Sequence, residues 1–501
     1  MKTRISTSAE AREADLVGFI VHREAGALFG TDWLDRVPGL AGFLGNSLQP
    51  ATGAKGRDDV ADGEDGAGGD EAGPARRWVD ARTVLYSANW QKHLSPNEAA
   101  KTALADLVKT AISLKAASLM IVLDGPGAEN VELVEDLARG LGIAAWRFDR
   151  YRAKPSPVLE NLECVLVTGA PPALADRIAA GLDVAASVNL ARGLVNEPGS
   201  VMTPEVLAER AASMAREEGL EVEILDRAGL VAGGYSGILA VGQGSRYEPR
   251  MVVLRYRPVG ADRHVALVGK GISFDTGGIS LKPGKDMHEM KSDMSGAAAV
   301  IGAMRTIARK KPGVVVTGIL VCAENMIGSA AQRPGDIFTH KNGKSIQVDN
   351  TDAEGRLCLI DGLARAGEEG ADTIVDIATL TGACIRALGT SLAGVMGNDD
   401  ALTASLVVAG ERSGERLWPF PLIEEYAKEL ETPHADLRNI GTGYAGQITA
   451  ALFMRPFVPQ KAKWAHLDIA GPAYFEKGWK YYAAGATGFG TQLLADWVLG
   501  L

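Results

Sequence analysis

The sequence predicts an α/β protein: an N-terminal α/β domain joined by a helix to a larger C-terminal catalytic domain with a mostly parallel, doubly wound central sheet. Three observations predict it. Short apolar runs alternate with amphipathic stretches along most of the chain. Several of those runs end in polar or glycine-rich loops, as strands do at the ligand-binding rim of an open parallel sheet. A length of 501 residues also exceeds what one ordinary core organises.

The first strand is Leu16–Val21. From Ala51 to Ala75 the composition turns to Gly, Asp, Glu and Ala with almost no apolar anchor. Residues 51–75 are therefore expected to be a mobile acidic insertion, because they bury too little to offset their ordering entropy. Order resumes at Thr83–Tyr86. A helix over Pro96–Leu114, a strand over Leu119–Leu123, a helix over Val131–Leu141 and a strand over Leu162–Val167 follow. This alternation makes residues 1–172 a domain of their own, without a catalytic constellation. Ala173 to Val195 reads as a helix that Asn196-Glu197-Pro198-Gly199 breaks, so 173–200 is the expected linker. Thr203-Pro204-Glu205 opens the next helix with a cap residue and proline at its first position. Over 201–501, apolar strands are expected at Val265–Val268, Val314–Val321, Ser345–Val348, Thr373–Ala378 and Ala465–Ile469.

Apolar content of 46% with 23% charged residues fits a soluble globular protein, and a net charge of −10 argues against a nucleic-acid or anionic-membrane partner. The cysteines, Cys164, Cys322, Cys358 and Cys384, show no paired-ligand spacing and read as free thiols of a reducing compartment. Met1–Asp15 lacks the apolar core of a signal peptide, and no apolar run reads as a membrane span. The expected location is the cytoplasm.

Chemistry concentrates in three blocks. In the first, a strand ending at Val348 passes through a polar turn into a helix opening at Leu357. If that turn is extended, residues two apart share a side, so Asp352, Glu354 and Arg356 are expected to face one way. The second, Val268–Pro283, is expected to leave its strand at Lys270 and stay loop-like, punctuated by Gly271, Gly277, Gly278 and Pro283. It carries Lys270, Asp275 and Lys282. The third, Met290–Ala299, puts Asp293 at the start of a small-residue helix running to about Arg309, where the helix dipole favours a carboxylate.

Should these blocks share one rim, Asp275, Asp293, Asp352 and Glu354 converge. Two like charges roughly 4 Å apart repel by about 4 kcal/mol at an effective dielectric of about 20. Such a cluster needs cations, and two divalent metals would neutralise it. Oxygen ligation suits Mn, Mg or Zn. Lys270 could join as a ligand only if neutral, which burial and adjacent dications favour. Lys282 and Arg356 would stay cationic and face the substrate.

Plainer readings stand beside these. An isolated Asp-x-Glu in a turn is usually a solvated turn or a helix cap. The Lys270-Gly271 loop lacks the Walker spacing, and Ser273, Ser280 and Ser295 lie in no nucleophile elbow. His288, His340, His434 and His466 are scattered and read as surface or satisfied core side chains. Met287, Met290 and Met294 read as packing.

Asn350-Thr351-Asp352-Ala353-Glu354-Gly355-Arg356-Leu357 resembles, without a departure, the signature octapeptide of the leucyl (cytosol) aminopeptidases, the M17 metallopeptidase family. Val268–Lys282, Lys291–Ala299, Asp376–Ala383 and Trp464–Gly471 match in the same order, over a resemblance running from about Ala185 to the C-terminus. It implies a metalloexopeptidase releasing N-terminal residues, preferentially leucine and other apolar ones, from peptides. Two divalent ions, Mn²⁺ or Zn²⁺, would be bound by Lys270, Asp275, Asp293, Asp352 and Glu354, activating a water and taking the substrate's free α-amine. Lys282 would stabilise the tetrahedral intermediate, and Arg356 would hold a proton-relaying bicarbonate. Met290, Thr379, Leu380 and Gly382 would bind substrate, and the assembly would be a homohexamer. Ile327 and Gln332 stand where the family often has proline and an aromatic, and Gly441–Tyr444 replaces a more glycine-rich or acidic loop. Rival readings are a two-metal hydrolase of phosphate esters and a non-catalytic scaffold retaining the fold.

Overall fold

The computed structural model describes residues 2–6, 16–21, 76–78, 83–87, 96–116, 118–123, 131–154, 163–168 and 173–501. The expected insertion at 51–75 lies outside them. Two compact units divide the chain, residues 1–185 and 186–501, the division falling inside the helix Ala173–Asn196.

In the first unit β1 (Lys2–Ser6), β2 (Leu16–Val21), β3 (Arg76–Trp78), β4 (Thr83–Ser87), β5 (Ser118–Leu123) and β6 (Glu163–Thr168) form one sheet in the order β1-β6-β5-β2-β4-β3. Only β3 runs antiparallel to its neighbour. β1 has no counterpart among the expected strands. It reads Lys-Thr-Arg-Ile-Ser, with one apolar residue, so periodicity carries no signal there. The helices Pro96–Ser113 and Val131–Ala145 pack together and bury Leu104, Leu107 and Val108 with Val134, Leu137 and Leu141.

The second unit is built on an eight-stranded sheet. Its strands are β7 (Glu221–Leu225), β8 (Arg250–Tyr256), β9 (His264–Asp275), β10 (Val315–Asn325), β13 (Thr373–Ala378), β14 (Ala393–Gly397), β15 (Leu417–Pro419) and β17 (Lys463–Asp468), in the order β15-β14-β17-β13-β9-β10-β8-β7. The central four, β17, β13, β9 and β10, are mutually parallel. Antiparallel β14 and β8 flank them. Helices cover both faces, so β9 and β10 are apolar and buried nearly end to end. One face packs the helices Pro204–Glu217, Ser295–Lys310 and Thr491–Leu499 around Leu207, Leu267, Met304 and Leu494. The other packs Ser236–Gly242, Glu354–Glu368 and Gly446–Met454 around Val268, Leu357, Phe453 and Trp464. As expected, Thr203 caps its helix, its side chain accepting from the Val206 amide at 3.3 Å.

Two expectations are corrected. The chain does not leave its strand at Lys270. β9 continues to Asp275 because β10 pairs with it along almost its whole length, shifting register only between Ala323 and Asn325. Gly269, just before this stretch, serves close packing. A Cβ there would lie 2.6 Å from the Ala297 Cα, and one on Gly296 would lie 2.1 Å from the Ile377 carbonyl oxygen. Nor does Ser345–Val348 join the central sheet. Its strand β12 (Ser345–Gln347) sits between β11 (Ile337–Thr339) and β16 (Leu437–Arg438) in a separate three-stranded sheet. Three residues with one buried apolar side chain, Ile346, do not specify their partner.

Among the described residues, Asp176–Asn196 is long and apolar enough by composition to cross a membrane, but 56% of its apolar window is buried inside the protein, as in a core helix.

Candidate metal centre

The site forms where the ends of β9, β10 and β13 meet the starts of two helices. Along β9 successive side chains alternate between faces. Ala266 and Val268 join the core beneath the helix Glu354–Glu368, and Lys270 follows on their side. Only a glycine at 355 admits it, since a Cβ there would come within 2.7 Å of the Lys270 Cε and Nζ. Lys270 Nζ lies 2.9 Å from Asp293 Oδ1 and 2.8 Å from Glu354 Oε1, and donates to the Thr379 carbonyl at 2.9 Å. All three of its N–H donors are thereby engaged.

Asp275 ends β9. Its Oδ1 accepts from the Gly277 amide at 2.9 Å and from Asn325 Nδ2 at 2.8 Å. Its Oδ2 lies 2.9 Å from Lys282 Nζ, which also stands 2.5 Å from Asp352 Oδ1. The chain returns from Asp275 to Lys282 through Gly277 and Gly278, both with positive φ, at 84° and 66°. A Cβ on Gly277 would stand 2.8 Å from Asp352 Oδ1. Thr351 locks this loop to the octapeptide. Its hydroxyl donates to the Gly277 carbonyl at 2.6 Å and accepts from the Ser280 amide at 2.8 Å, while Ser280 Oγ accepts from the Thr351 amide.

Asp293 lies in the 3₁₀ turn Met287–Met294, immediately before the helix Ser295–Lys310 and not within it. Its Oδ1 also accepts from Thr379 Oγ1 at 2.8 Å. Glu354 is the first residue of its own helix. That changes the geometry of the octapeptide. Asp352, Glu354 and Arg356 do not share one extended side, because helical rotation turns Arg356 away to donate through Nη1 to the Asn439 carbonyl at 2.9 Å.

The structure therefore gathers Lys270, Asp275, Lys282, Asp293, Asp352, Glu354 and Thr379. Leu380 approaches the Gly355 Cα side of the cluster, 2.9 Å from where a Cβ would stand. Met290 is half-buried three residues before Asp293, and Gly382 is exposed at the first turn of the helix Gly382–Leu388.

Carboxylate oxygens of Asp275, Asp293 and Glu354 all fall within 4.8 Å of one another, and the three residues are buried. Burial and the neighbouring Glu354 push the Asp275 carboxyl up to about 6, despite the opposing lysines. Burial raises Asp293 well above the carboxylate range, further than Lys270 can restore. Glu354 ends below its usual range, because Lys270 and Lys282 together outweigh its burial. Burial alone would lower Lys270, but Asp293, Glu354 and Asp275 raise it instead. By the protein's own charges alone, then, Lys270 is an ammonium. Four carboxylates face two lysines, leaving a surplus of two negative charges when all are ionised. Asp293 Oδ2 and Glu354 Oε2 are buried and find no hydrogen-bond partner among the described residues. Unspent carboxylate oxygens in a cluster short of positive charge, some held neutral only until a cation arrives, are the donor set a hard divalent cation takes. The residues fit the group.

Sequence reasoning missed three supports. Asn325 orients Asp275 and donates to the Thr351 carbonyl at 3.0 Å. Asn439 accepts from the Asp349 amide and donates to the Asn350 carbonyl, at 2.9 and 2.7 Å. Asp468 receives the Leu380 amide at 3.2 Å and the Thr381 hydroxyl at 2.7 Å, shaping the 379–382 loop. Asp468 lay inside a matched block and was open to notice. Asn439 has no local signal at all.

Residues 189–495 match the catalytic domain of the cytosol aminopeptidase family. Over 369 residues the chain is 43% identical to a probable cytosol aminopeptidase of Persephonella marina, covering 73% of this chain and 74% of that one. It is 46% identical to one of Geobacter sulfurreducens over the same length and shares. Among solved structures, the bottromycin maturation enzyme BotP in complex with Mn superposes with a TM-score of 0.80 at 33% identity, covering 97% of this chain and 99% of that chain.

Proposed function

From the premise that this chain belongs to the cytosol aminopeptidase family of metal-dependent hydrolases, we propose that it releases leucine and other large apolar residues from peptide N-termini. Lys270, Asp275, Asp293, Asp352 and Glu354 would hold two divalent ions, Mn²⁺ or Zn²⁺. Manganese is the ion named for BotP. The observation that carries this reading is the pair of buried, unspent oxygens, Asp293 Oδ2 and Glu354 Oε2, in a cluster already short of positive charge. Bound there, the ions would supply an activated water and a counter-charge for the scissile carbonyl.

The remaining work falls to this chain's own groups. Lys282 is held by Asp275 and Asp352 with its side chain 22% exposed, so its ammonium can turn an N–H toward the substrate carbonyl oxygen as negative charge develops. Asp275, Glu354 and Asp352 keep it protonated, outweighing its burial. Arg356 spends Nη1 on Asn439 and keeps Nε without a partner. Its planar fork would suit a bicarbonate that carries a proton to the leaving amine. Met290, Thr379, Leu380 and Gly382 would line the subsite for the first side chain. A homohexameric assembly and a cytosolic location complete the proposal, the latter supported by the names of the relatives.

Leucyl-anilide hydrolysis with and without Mn²⁺ tests it. Turnover should disappear on chelation, return with Mn²⁺ and vanish when the substrate's α-amine is acetylated. Hydrolysis of nitrophenyl phosphate without leucyl-anilide turnover would transfer the site to the phosphate-ester reading, and no turnover of either substrate would favour a scaffold.

A further inference from the structure

The turn that carries Asp293 is held from outside the cluster as well as from within it. Met287–Met294 is a 3₁₀ run of eight residues, although the poorer hydrogen bonds of this geometry usually limit a run to about three or four. Its entry gives it no help. Asp286 precedes it with φ at 61°, in the left-handed region, and makes no capping bond with its side chain. At the far end Ser295 Oγ donates to the Ser292 carbonyl at 2.5 Å. Asp293 itself is tied to Lys270 and Thr379, but those contacts lie inside the cluster, where bound ions would compete for the same oxygens.

Lys291 supplies the outside hold. Two residues of a 3₁₀ turn span two-thirds of a rotation, so Lys291 and Asp293 leave it on different sides. Lys291 Nζ donates to the Asn196 carbonyl at 3.1 Å. Asn196 is the last residue of the helix Ala173–Asn196, whose final turn contains no basic residue of its own. A helix end leaves carbonyls unpaired and carries a partial negative charge, and an ammonium answers both. The acceptor is itself fixed. Asn196 Nδ2 donates back to the Arg192 carbonyl at 2.8 Å, and its Oδ1 accepts from the Ala486 amide at 3.2 Å. Arg192 Nε donates to the Ala486 carbonyl at 3.0 Å. A Cβ on Gly485 would stand 2.3 Å from Asn196 Oδ1, so only glycine lets the two segments meet this closely. Gly485–Ala486 pairs with Tyr474–Phe475, and the Lys291 ammonium lies 6.0 Å from the centre of the Tyr474 ring. Helix end and hairpin thus make one braced corner, and Lys291 fastens the turn into it.

We propose that Lys291 is a positioning residue for Asp293, fastening the 3₁₀ turn to the helix end so that the carboxylate is already in place when a divalent ion arrives. The proposal rests on the reading of the cluster as a metal centre.

Calorimetric titration of the metal-free protein with Mn²⁺ tests it without any turnover. Lys291→Met keeps most of the stem and removes the ammonium. It should weaken Mn²⁺ binding about 10- to 100-fold, the usual loss when a group that orients a ligand is removed. Lys291→Arg can still donate to the Asn196 carbonyl and should recover most of that affinity. Parent-like affinity in Lys291→Met would overturn the proposal. So would a loss that Lys291→Arg does not recover and that follows a fall in the metal-free Tm, since Lys291 would then be merely structural. Crystals of the Mn²⁺-loaded parent supply a readout that needs no variant to fold. They should keep Lys291 Nζ within hydrogen-bond reach of the Asn196 carbonyl, and a Lys291 turned elsewhere would sink the idea. A parent protein that takes up no Mn²⁺ would instead defeat the metal-centre reading, and this proposal with it.

Discussion

Glu354 and Glu415 are both carboxylates sealed inside the second unit, yet burial has opposite outcomes for them. Glu415 accepts from the Gly490 and Leu493 amides, at 3.0 and 2.8 Å, where the helix Thr491–Leu499 begins. Burial, aided by the charge of Asp496, pushes its carboxyl up to about 7 against those hydrogen bonds. Glu354 has Lys270 and Lys282 to outweigh its burial, which holds it ionised, and it still keeps one oxygen unspent. Burial of an acid therefore does not mark a site. What marks one is a surplus of ionised oxygens whose local partners have run out.

The sharpest way to break this contrast is at the lysine both sides of the cluster depend on. Lys270→Met leaves Asp293 and Glu354 buried without their cation, and removing one partner of a buried ion pair costs about 3–5 kcal/mol. Urea denaturation should register that loss, and leucyl-anilide turnover and bound metal should fall to background. Retained turnover would remove Lys270 from the site. Lys282→Ala should separate chemistry from folding. Its loss is expected to cost kcat about 10²–10³-fold, with metal content close to the parent and a smaller fall in stability than for Lys270→Met, because its ammonium is partly solvated where Lys270 is sealed.

Metal removal comes next in size. A divalent ion at 100 times its Kd stabilises the folded state by about 2.7 kcal/mol per site. Calorimetry should therefore find Tm falling on chelation and returning with Mn²⁺. An unchanged Tm would argue that the oxygens hold no ion.

Glu415 supplies the counter-case. Its folded pKa lies above the unfolded value of 4.5. Its contribution is fully present below about pH 4.5 and is lost as pH rises through about 7. Glu415→Gln should match the parent near pH 4.5 and exceed it at pH 8 by on the order of 3 kcal/mol, with metal content unaltered. A variant less stable than the parent at pH 8 would show the charge to be compensated. The smallest effect is expected at Thr351. Thr351→Val keeps the shape but removes two hydrogen bonds to the Gly277–Ser280 loop, costing about 1–3 kcal/mol and a modest part of kcat through Lys282. Unchanged stability would show that the loop holds itself.

Element type was largely legible in the chain because helix and strand periodicities are local. Pro96–Ser113, Val131–Ala145 and Thr373–Ala378 all lie within a few residues of where pattern placed them. Partner choice was less so. β12 read as a central strand although it pairs only in a side sheet, and Gly271 read as loop punctuation although it lies within β9, where a Cβ would stand 3.0 Å from the Val321 carbonyl oxygen. Residue type says that a backbone is permissive; it does not say what approaches it.

By itself the sequence determined the inventory: four acids, two lysines and an arginine in ordered blocks, with the repeated strand-to-helix pattern of an α/β unit. Tertiary structure alone decided which of these charges share a cluster and which turn away, as Arg356 does toward Asn439. Periodicity is written within a few neighbouring residues. The distance between Asp275 and Glu354, by contrast, depends on how the helix Glu354–Glu368 packs on β9, about eighty residues earlier in the chain, and no single stretch of chain holds that information.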